Sequence, residues 1–329
     1  MDPGYPSHTT DDHRVQLLRG SCPMFWFSFN GRCYKYVATH MSWADAELYC
    51  VSQRANLVSI YSQEEEEFVK SLIKNFDHAE QWTWIGLSDL HKEGRWMWSD
   101  GCAVSFVYWH AGQPDNAGTN EHCVHTNYSN LKKWNDYQCS LNLASAVVFM
   151  VNVRISNMIL LLFLLGLALG APSESPSDDN EVKLQLDDRA VKLLRGNCPP
   201  FWWSFNGRCY TYVATPMSWS DAEFHCLSQG ANLVSIHNME EENFVRSLIR
   251  NFDPAQRDTW IGLSDAHREG RWMWSDGSVV GFVNWKTGEP NNDGEEDCVT
   301  NNYHTVKKWN DNKCSDSFAS VCVKRKVCD

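Results

Sequence analysis

Between residues 62 and 76, the apolar side chains Phe68, Leu72, Ile73 and Phe76 recur at helical spacing among glutamates, lysines and asparagine. One face of an amphipathic helix is predicted there, opened by Ser62 with Glu65 in capping-box register. The same pattern returns at Phe244, Leu248, Ile249 and Phe252, behind Asn238 and Glu241. Shorter helices are predicted after Ser42 and Ser218, each followed three residues later by an aspartate, Asp45 and Asp221. Elsewhere the pattern suits strands. FNGRCYKYV reads as a strand reached through an Asn-Gly turn. WIGL reads as a short buried strand, and KKWND and FASVCV as closing strands. Trp96 and Trp98, like Trp272 and Trp274, alternate with period two, which fits a strand with buried rings better than a sugar platform. A long polar loop follows WMWSDG in each half, and loops of that length in a compact domain are usually functional. The predicted class is α+β.

The pattern occurs twice because the chain is duplicated. LLRGSCPMFWFSFNGRCYKYVATHMSWADAELYC at 17–50 returns as LLRGNCPPFWWSFNGRCYTYVATPMSWSDAEFHC at 193–226. WIGLSDLHKEGRWMWSDG at 84–101 and KKWNDYQC at 132–139 return at 260–277 and 307–314. Two copies of this length make a domain pair, not a solenoid.

Composition narrows the class. A net charge of −12 over 329 residues leaves no basic surplus for a nucleic-acid partner. Thirteen cysteines without a CxxC pair favour disulfides and an oxidising compartment over zinc.

The cysteine pattern, the WIGL strand, the EPN tripeptide 289–291 and the WND triplet together resemble the C-type lectin-like domain. The resemblance is to small secreted lectins of the nattectin and ladderlectin kind. It covers a first domain at 22–147 and a second at 192–329, with a truncated pro-segment at 1–21 and a linker at 148–191. It implies the disulfides Cys198–Cys209, Cys226–Cys322 and Cys298–Cys314, and in the first copy Cys22–Cys33 and Cys123–Cys139. Val147 stands where the first copy's last cysteine should be, so Cys50 loses its mate. Cys102 is read as an extra thiol, and Cys328 as a candidate for a bridge to another chain. The first domain is therefore expected to be the weaker fold.

The resemblance also implies a calcium-dependent sugar site. Calcium takes six to eight oxygens from carboxylates and amide carbonyls. In the second copy Glu289, Asn291, Glu296, Asn310 and Asp311 offer them, with a cis Pro290 turning Glu289 and Asn291 toward one point. The matching set in the first copy is Gln113, Asp115, Glu121, Asn135 and Asp136. Carboxylates only accept and amide NH2 groups donate, so alternating acids and amides around one ion read a pair of adjacent sugar hydroxyls. In the family, EPN goes with mannose-type and QPD with galactose-type glycans, although the aromatic usual after QPD is replaced by Asn116 and Ala117. An auxiliary calcium site matches Asp265, Glu269, Asn292, Glu296 and Asp297. The other reading of Asp265 and Glu269 is two acids facing solvent at a turn. The echo in the first copy, Asp89, Glu93, Asn116 and Glu121, has His122 in place of its last acid.

A glycosidase would also need paired carboxylates, but alternation with amides favours holding an ion over moving protons, and no enzyme is expected. Calcium-dependent ice binding or protein binding on the same fold is the alternative. Asn127-Tyr128-Ser129 is the single glycosylation sequon.

The run MILLLFLLGLALGA, 158–171, has an apolar core of about a dozen residues, while a membrane span needs roughly twenty. Ala168 and Gly170 before Ala171 suit a signal-peptide cleavage site. The expectation is a secreted lectin of innate defence, the chain joining two neighbouring lectin genes. A short membrane anchor is the alternative.

Overall fold

The computed structural model describes residues 17–150, 193–303 and 305–324. The apolar run 158–171, most of the pro-segments and Cys328 lie outside them. Among the described residues no helix is long and apolar enough to cross a membrane.

Each copy folds as an α+β unit. The first starts with a hairpin, β1 (Phe27–Phe29) and β2 (Arg32–Met41). Its turn residues Asn30 and Gly31 both have positive φ, as an Asn-Gly hairpin turn requires. Then come α1 (Trp43–Ser52), β3 (Asn56–Leu57), α2 (Gln63–Phe76), β4 (Thr83–Ser88) and β5 (Met97–Trp98). After the long loop, β6 (Cys123–Tyr128), β7 (Lys133–Tyr137) and β8 (Leu143–Met150) close the unit. The second unit repeats this as β9 (Trp203–Phe205), β10 (Arg208–Met217), α3 (Trp219–Ser228), β11 (Ala231–Leu233), α4 (Met239–Phe252), β12 (Thr259–Ser264), β13 (Met273–Trp274), β14 (Cys298–Tyr303), β15 (Lys308–Asn312) and β16 (Phe318–Lys324).

The first sheet runs β1-β2-β8-β4-β6-β7, with β3 on β8 and β5 on β4; the second has the same order. The β4–β8 and β12–β16 pairs are parallel and the rest antiparallel. The helix starts are those predicted: Ser42, Ser62, Ser218 and Asn238 each accept from the backbone N–H three residues on. Phe68, Leu72 and Ile73 are buried. Phe76 departs from that stripe. At the last position of α2 it is half-exposed and stacks on Tyr36 at 6.1 Å, as Phe252 does on Tyr212 at 6.0 Å. The helix ends before a further turn can cover either ring. Trp98 and Trp274 are buried on their short strands; Trp96 and Trp272 pack against Trp109 and Trp285, each at 4.9 Å.

One buried carboxylate in each unit ties the long helix to the strands that follow the long loop. Glu66 accepts from Trp134 Nε1 at 2.9 Å and from Thr126 Oγ1 at 3.0 Å. Glu242 accepts from Trp309 Nε1 at 3.0 Å and from Asn284 and Asn301 at 3.2 Å. Burial pushes both carboxyls up, and these donors offset part of that desolvation.

The five disulfides implied by the resemblance are formed: Cys22–Cys33, Cys123–Cys139, Cys198–Cys209, Cys226–Cys322 and Cys298–Cys314. Cys50 is buried and free. Val147 pairs with Lys35 and Leu57, the ladder position Cys322 holds opposite Thr211 and Leu233. Cys102 corrects the expectation of an extra thiol, because it is disulfide-bonded. It sits beside the contact between the two units, a relation that spacing along one copy cannot reveal.

Candidate functional site

The long loop of each unit returns to β15 or β7 and delivers its polar side chains there. Glu289–Pro290 and Gln113–Pro114 are both cis. In the second unit Asp311, fully buried on β15, accepts at Oδ2 from the backbone N–H groups of Asn291 and Asn292 at 2.9 and 2.8 Å. Asn292, in the left-handed region that asparagine tolerates, accepts from Glu296 N at 2.7 Å and donates to Glu269 Oε2 at 2.6 Å. Asn291 accepts from Asp293 N at 2.9 Å. Lys286, unremarked in the sequence although only three residues before Glu289, donates to Glu289 Oε1 at 3.2 Å.

Several oxygens of this cluster are left over. Glu289 Oε2, Asn310 Oδ1 and Asp311 Oδ1 are buried without a hydrogen-bond partner. Buried acceptors without partners are rare and call for a reason. Three hard oxygens, two of them carboxylate, are the donor set that suits calcium. Burial raises the Glu296 carboxyl, and the nearby Asp311, Asp293 and Glu289 add to the rise. The residues present fit the ion the resemblance implies.

The first unit keeps the scaffold. Asp136 accepts from Asp115 N and Asn116 N at 3.2 and 2.8 Å, and Glu121 Oε2 accepts from Ala117 N at 3.1 Å. Asp115, Glu121 and Asp136 each bring a carboxylate oxygen within 4.8 Å of the others. Gln113 Oε1 is buried without a partner. Asn135 donates to the Asp136 carbonyl at 2.5 Å and lies 3.3 Å from His125 Nε2, so its amide is held from two sides.

The auxiliary residues also come together. Asp265, Glu269 and Asp297 converge within 4.8 Å. Asp265 is 1% exposed, which overturns the reading of it as a solvent-facing acid. The turn carrying it tucks under the loop, its N–H donating to Asp297 O at 3.0 Å. Burial, with Glu269 and Asp297 nearby, pushes its carboxyl up to about 7, and its Oδ1 has no hydrogen-bond partner. In the first unit His122 Nδ1 lies 3.0 Å from Asp89 Oδ1 and 3.6 Å from Glu93 Oε2. A histidine there replaces an acid's oxygen donors with ring nitrogens. The sequon asparagine, Asn127, is buried on β6 and donates to Gln81 O at 3.4 Å, so the folded unit does not present it.

Comparison with known proteins identifies the domain. The C-type lectin domain model matches residues 39–146 and 215–324. C-type mannose receptor 2 of Mus musculus is 30% identical over 328 residues, 96% of this chain but 20% of the receptor, so the chain spans about a fifth of that relative. Ladderlectin of Oncorhynchus mykiss is 41% identical over 143 residues, 43% of this chain and 75% of the lectin. A type-2 ice-structuring protein of Osmerus mordax is 39% identical over 128 residues, 39% of this chain and 71% of that protein. Members of the matched family are non-enzymatic binding proteins, and the family typically binds calcium. The chain belongs to the C-type lectin family and carries two such domains in tandem.

Proposed function

We propose that the chain binds glycans through calcium held at the tip of each unit, the second unit selecting mannose-type and the first galactose-type sugars. In the second unit the ion is held by Glu289, Asn291, Glu296, Asn310 and Asp311, with an auxiliary ion at Asp265, Glu269, Asn292 and Asp297. In the first it is held by Gln113, Asp115, Glu121, Asn135 and Asp136. The observation that carries this reading is the set of buried, unpartnered oxygens on Glu289, Asn310 and Asp311.

Bound calcium supplies a coordination partner for two neighbouring sugar hydroxyls. The chain's own groups do the selecting: carboxylates accept the hydroxyl protons and amide NH2 groups donate to the hydroxyl oxygens. Exchanging Glu289 and Asn291 for Gln113 and Asp115 keeps three carboxylates and two amides. It reverses which side accepts, and so which diol fits. Ladderlectin and the mannose receptor support the sugar reading by their names, and the smelt ice-structuring relative supports a competing ice-binding one. The domains run 22–147 and 192–329. The second is secreted behind the apolar run 158–171 and acts in innate defence.

The test is retention of the chain on immobilised mannose and galactose with calcium present, followed by a chelator wash. Elution by chelator from mannose, lost in Asp311→Asn, is expected. Failure to bind either resin in calcium, with ice-growth inhibition instead, favours the ice-binding reading.

A further inference from the structure

The two units meet through matching residues, and most contacts between them come in reciprocal pairs. The His91 ring stacks on Trp219 at 4.4 Å and the His267 ring on Trp43 at 4.8 Å. His91 Nε2 lies 3.0 Å from Ser264 Oγ, and His267 Nε2 lies 3.2 Å from Ser88 Oγ. Lys92 pairs with Asp221 at 2.8 Å, and Arg268 with Asp45. Asn56 Nδ2 donates to Gly277 O at 3.2 Å, and Asn232 Nδ2 to Gly101 O at 3.0 Å. His91 and His267 meet each other edge to face at 4.8 Å.

The glycines explain how close the backbones come. Both have positive φ, and a Cβ on Gly101 would stand 2.7 Å from Asp276 Cα, one on Gly277 2.9 Å from Asp100 Cα. Only glycine fits such a crossing at that φ. Around this contact lies a cavity of about 270 Å³, lined by both units, including Trp43, Trp219, Met97 and Met273.

A contact in which residue i meets j while j's counterpart meets i's is isologous, the self-complementary kind found in twofold dimers. Here the two partners are copies of one sequence, so each face is complementary to itself. Resting on the reading that the second unit is released alone behind the apolar run 158–171, we infer that it carries a homodimerisation face, Trp219, Asp221, Asn232, Ser264, His267, Arg268 and Gly277, that binds a second copy of the same unit about a twofold axis.

The second unit is the better candidate for self-pairing because of one departure from symmetry. Arg95 lies over the Phe224 ring at 5.1 Å. The reverse contact is lost between the units because Leu48 occupies the place of Phe224. Two second units regain both, with Arg271 over each Phe224, a cation–π pair on either side of the axis. The face rings Trp219 and Phe224 with serine, histidine, aspartate and arginine. Pairing would also join two sugar sites in one particle, which multiplies weak single-site affinity.

Residues 193–324 suit the experiment. They hold their own sheet, core and three disulfides, and ladderlectin matches a single such domain over three quarters of its length. They end before Cys328, and all six of their cysteines are paired within the unit, so no disulfide can link two copies. Sedimentation equilibrium of this segment is expected to show a reversible dimer. Arg268→Glu, which sets like charges opposite Asp221, is expected to weaken it at least tenfold, and Phe224→Leu severalfold. Circular dichroism and a zero free-thiol count establish that each variant is folded. A folded segment that stays monomeric at high micromolar concentration overturns the inference. So does a dimer indifferent to both substitutions.

Discussion

Lys286 donates to Glu289 Oε1 at 3.2 Å and leaves Glu289 Oε2 buried without a hydrogen-bond partner. The lysine therefore fixes the carboxylate with one oxygen occupied and the other free. In the first unit the corresponding pair is His110 and Gln113, a neutral amide without a lysine beside it.

The charge of the ligand set follows from that difference. Glu289→Gln leaves the second unit with two primary carboxylates and is expected to lower its calcium affinity about tenfold or more, since charge count sets such affinities. Adding Asn291→Asp restores the count. The double variant is expected to recover calcium binding and to move the preference of this unit from mannose toward galactose. Calorimetric calcium titration and sugar competition on the separately eluted resins check the two parts. Mannose preference unchanged in a calcium-loaded double variant would contradict the role given to these side chains.

Calcium should stabilise the second unit by satisfying its unpartnered oxygens. A ligand at a hundred times its dissociation constant adds about 2.7 kcal/mol to the folded state. Thermal unfolding of residues 193–324 is expected at a higher temperature in calcium than in chelator, and Asp311→Asn is expected to erase most of the difference. An Asp311→Asn variant with an unchanged calcium shift would place the ion elsewhere.

Much of this architecture was legible along the chain, and the exceptions share a cause. The helices were readable because Phe68, Leu72 and Ile73 keep one period and Ser62 marks the start. The convergence of Asp115, Glu121 and Asp136 was readable because they sit at fixed steps from a proline and from the WND strand. The burial of Asp265 was not, because a turn acid looks solvent-facing until the loop above it is in place. The contact between units was also hidden: Ser88 ends β4 and His91 and Lys92 lie in the turn after it, polar residues that read as open surface. Only their repetition as Ser264, His267 and Arg268 hinted at a shared task, and two copies of one domain repeat everything. Phe76 erred in the other direction, its apolar character suggesting core at a position where the helix had already run out of cover.

The missing third disulfide of the first unit is repairable. Val147 holds the ladder position of Cys322 opposite Leu57, as Cys322 does opposite Leu233, and Cys50 waits buried at the place of Cys226. Val147→Cys is expected to form the bridge, lower the free-thiol count by one and stabilise the first unit by about 2–5 kcal/mol, the range for a disulfide of a small secreted domain. Denaturant unfolding under oxidising and reducing conditions checks this. A variant with two reactive thiols would show that position 147 does not face Cys50.

Glu47 makes the first unit sensitive to pH. Its carboxylate is buried and accepts from Asn56 Nδ2 at 2.6 Å and Leu57 N at 2.8 Å. Desolvation nonetheless dominates and pushes the carboxyl up from 4.5 to about 7. The folded state therefore binds this proton more tightly than the unfolded one. The stability it contributes is fully present below about pH 4.5 and is lost as pH rises through about 7, a swing of about 3 kcal/mol for a shift of this size. Glu47→Gln keeps the donors supplied at one oxygen and removes the ionisation. Unfolding of the full chain is measured at pH 5 and pH 8 in saturating calcium, with the variant beside it. The wild type is expected to lose stability relative to Glu47→Gln between those two values, so the gap between them narrows or reverses at pH 8. A gap that stays constant across the window would mean that Glu47 remains ionised in the folded chain, its hydrogen bonds outweighing its burial.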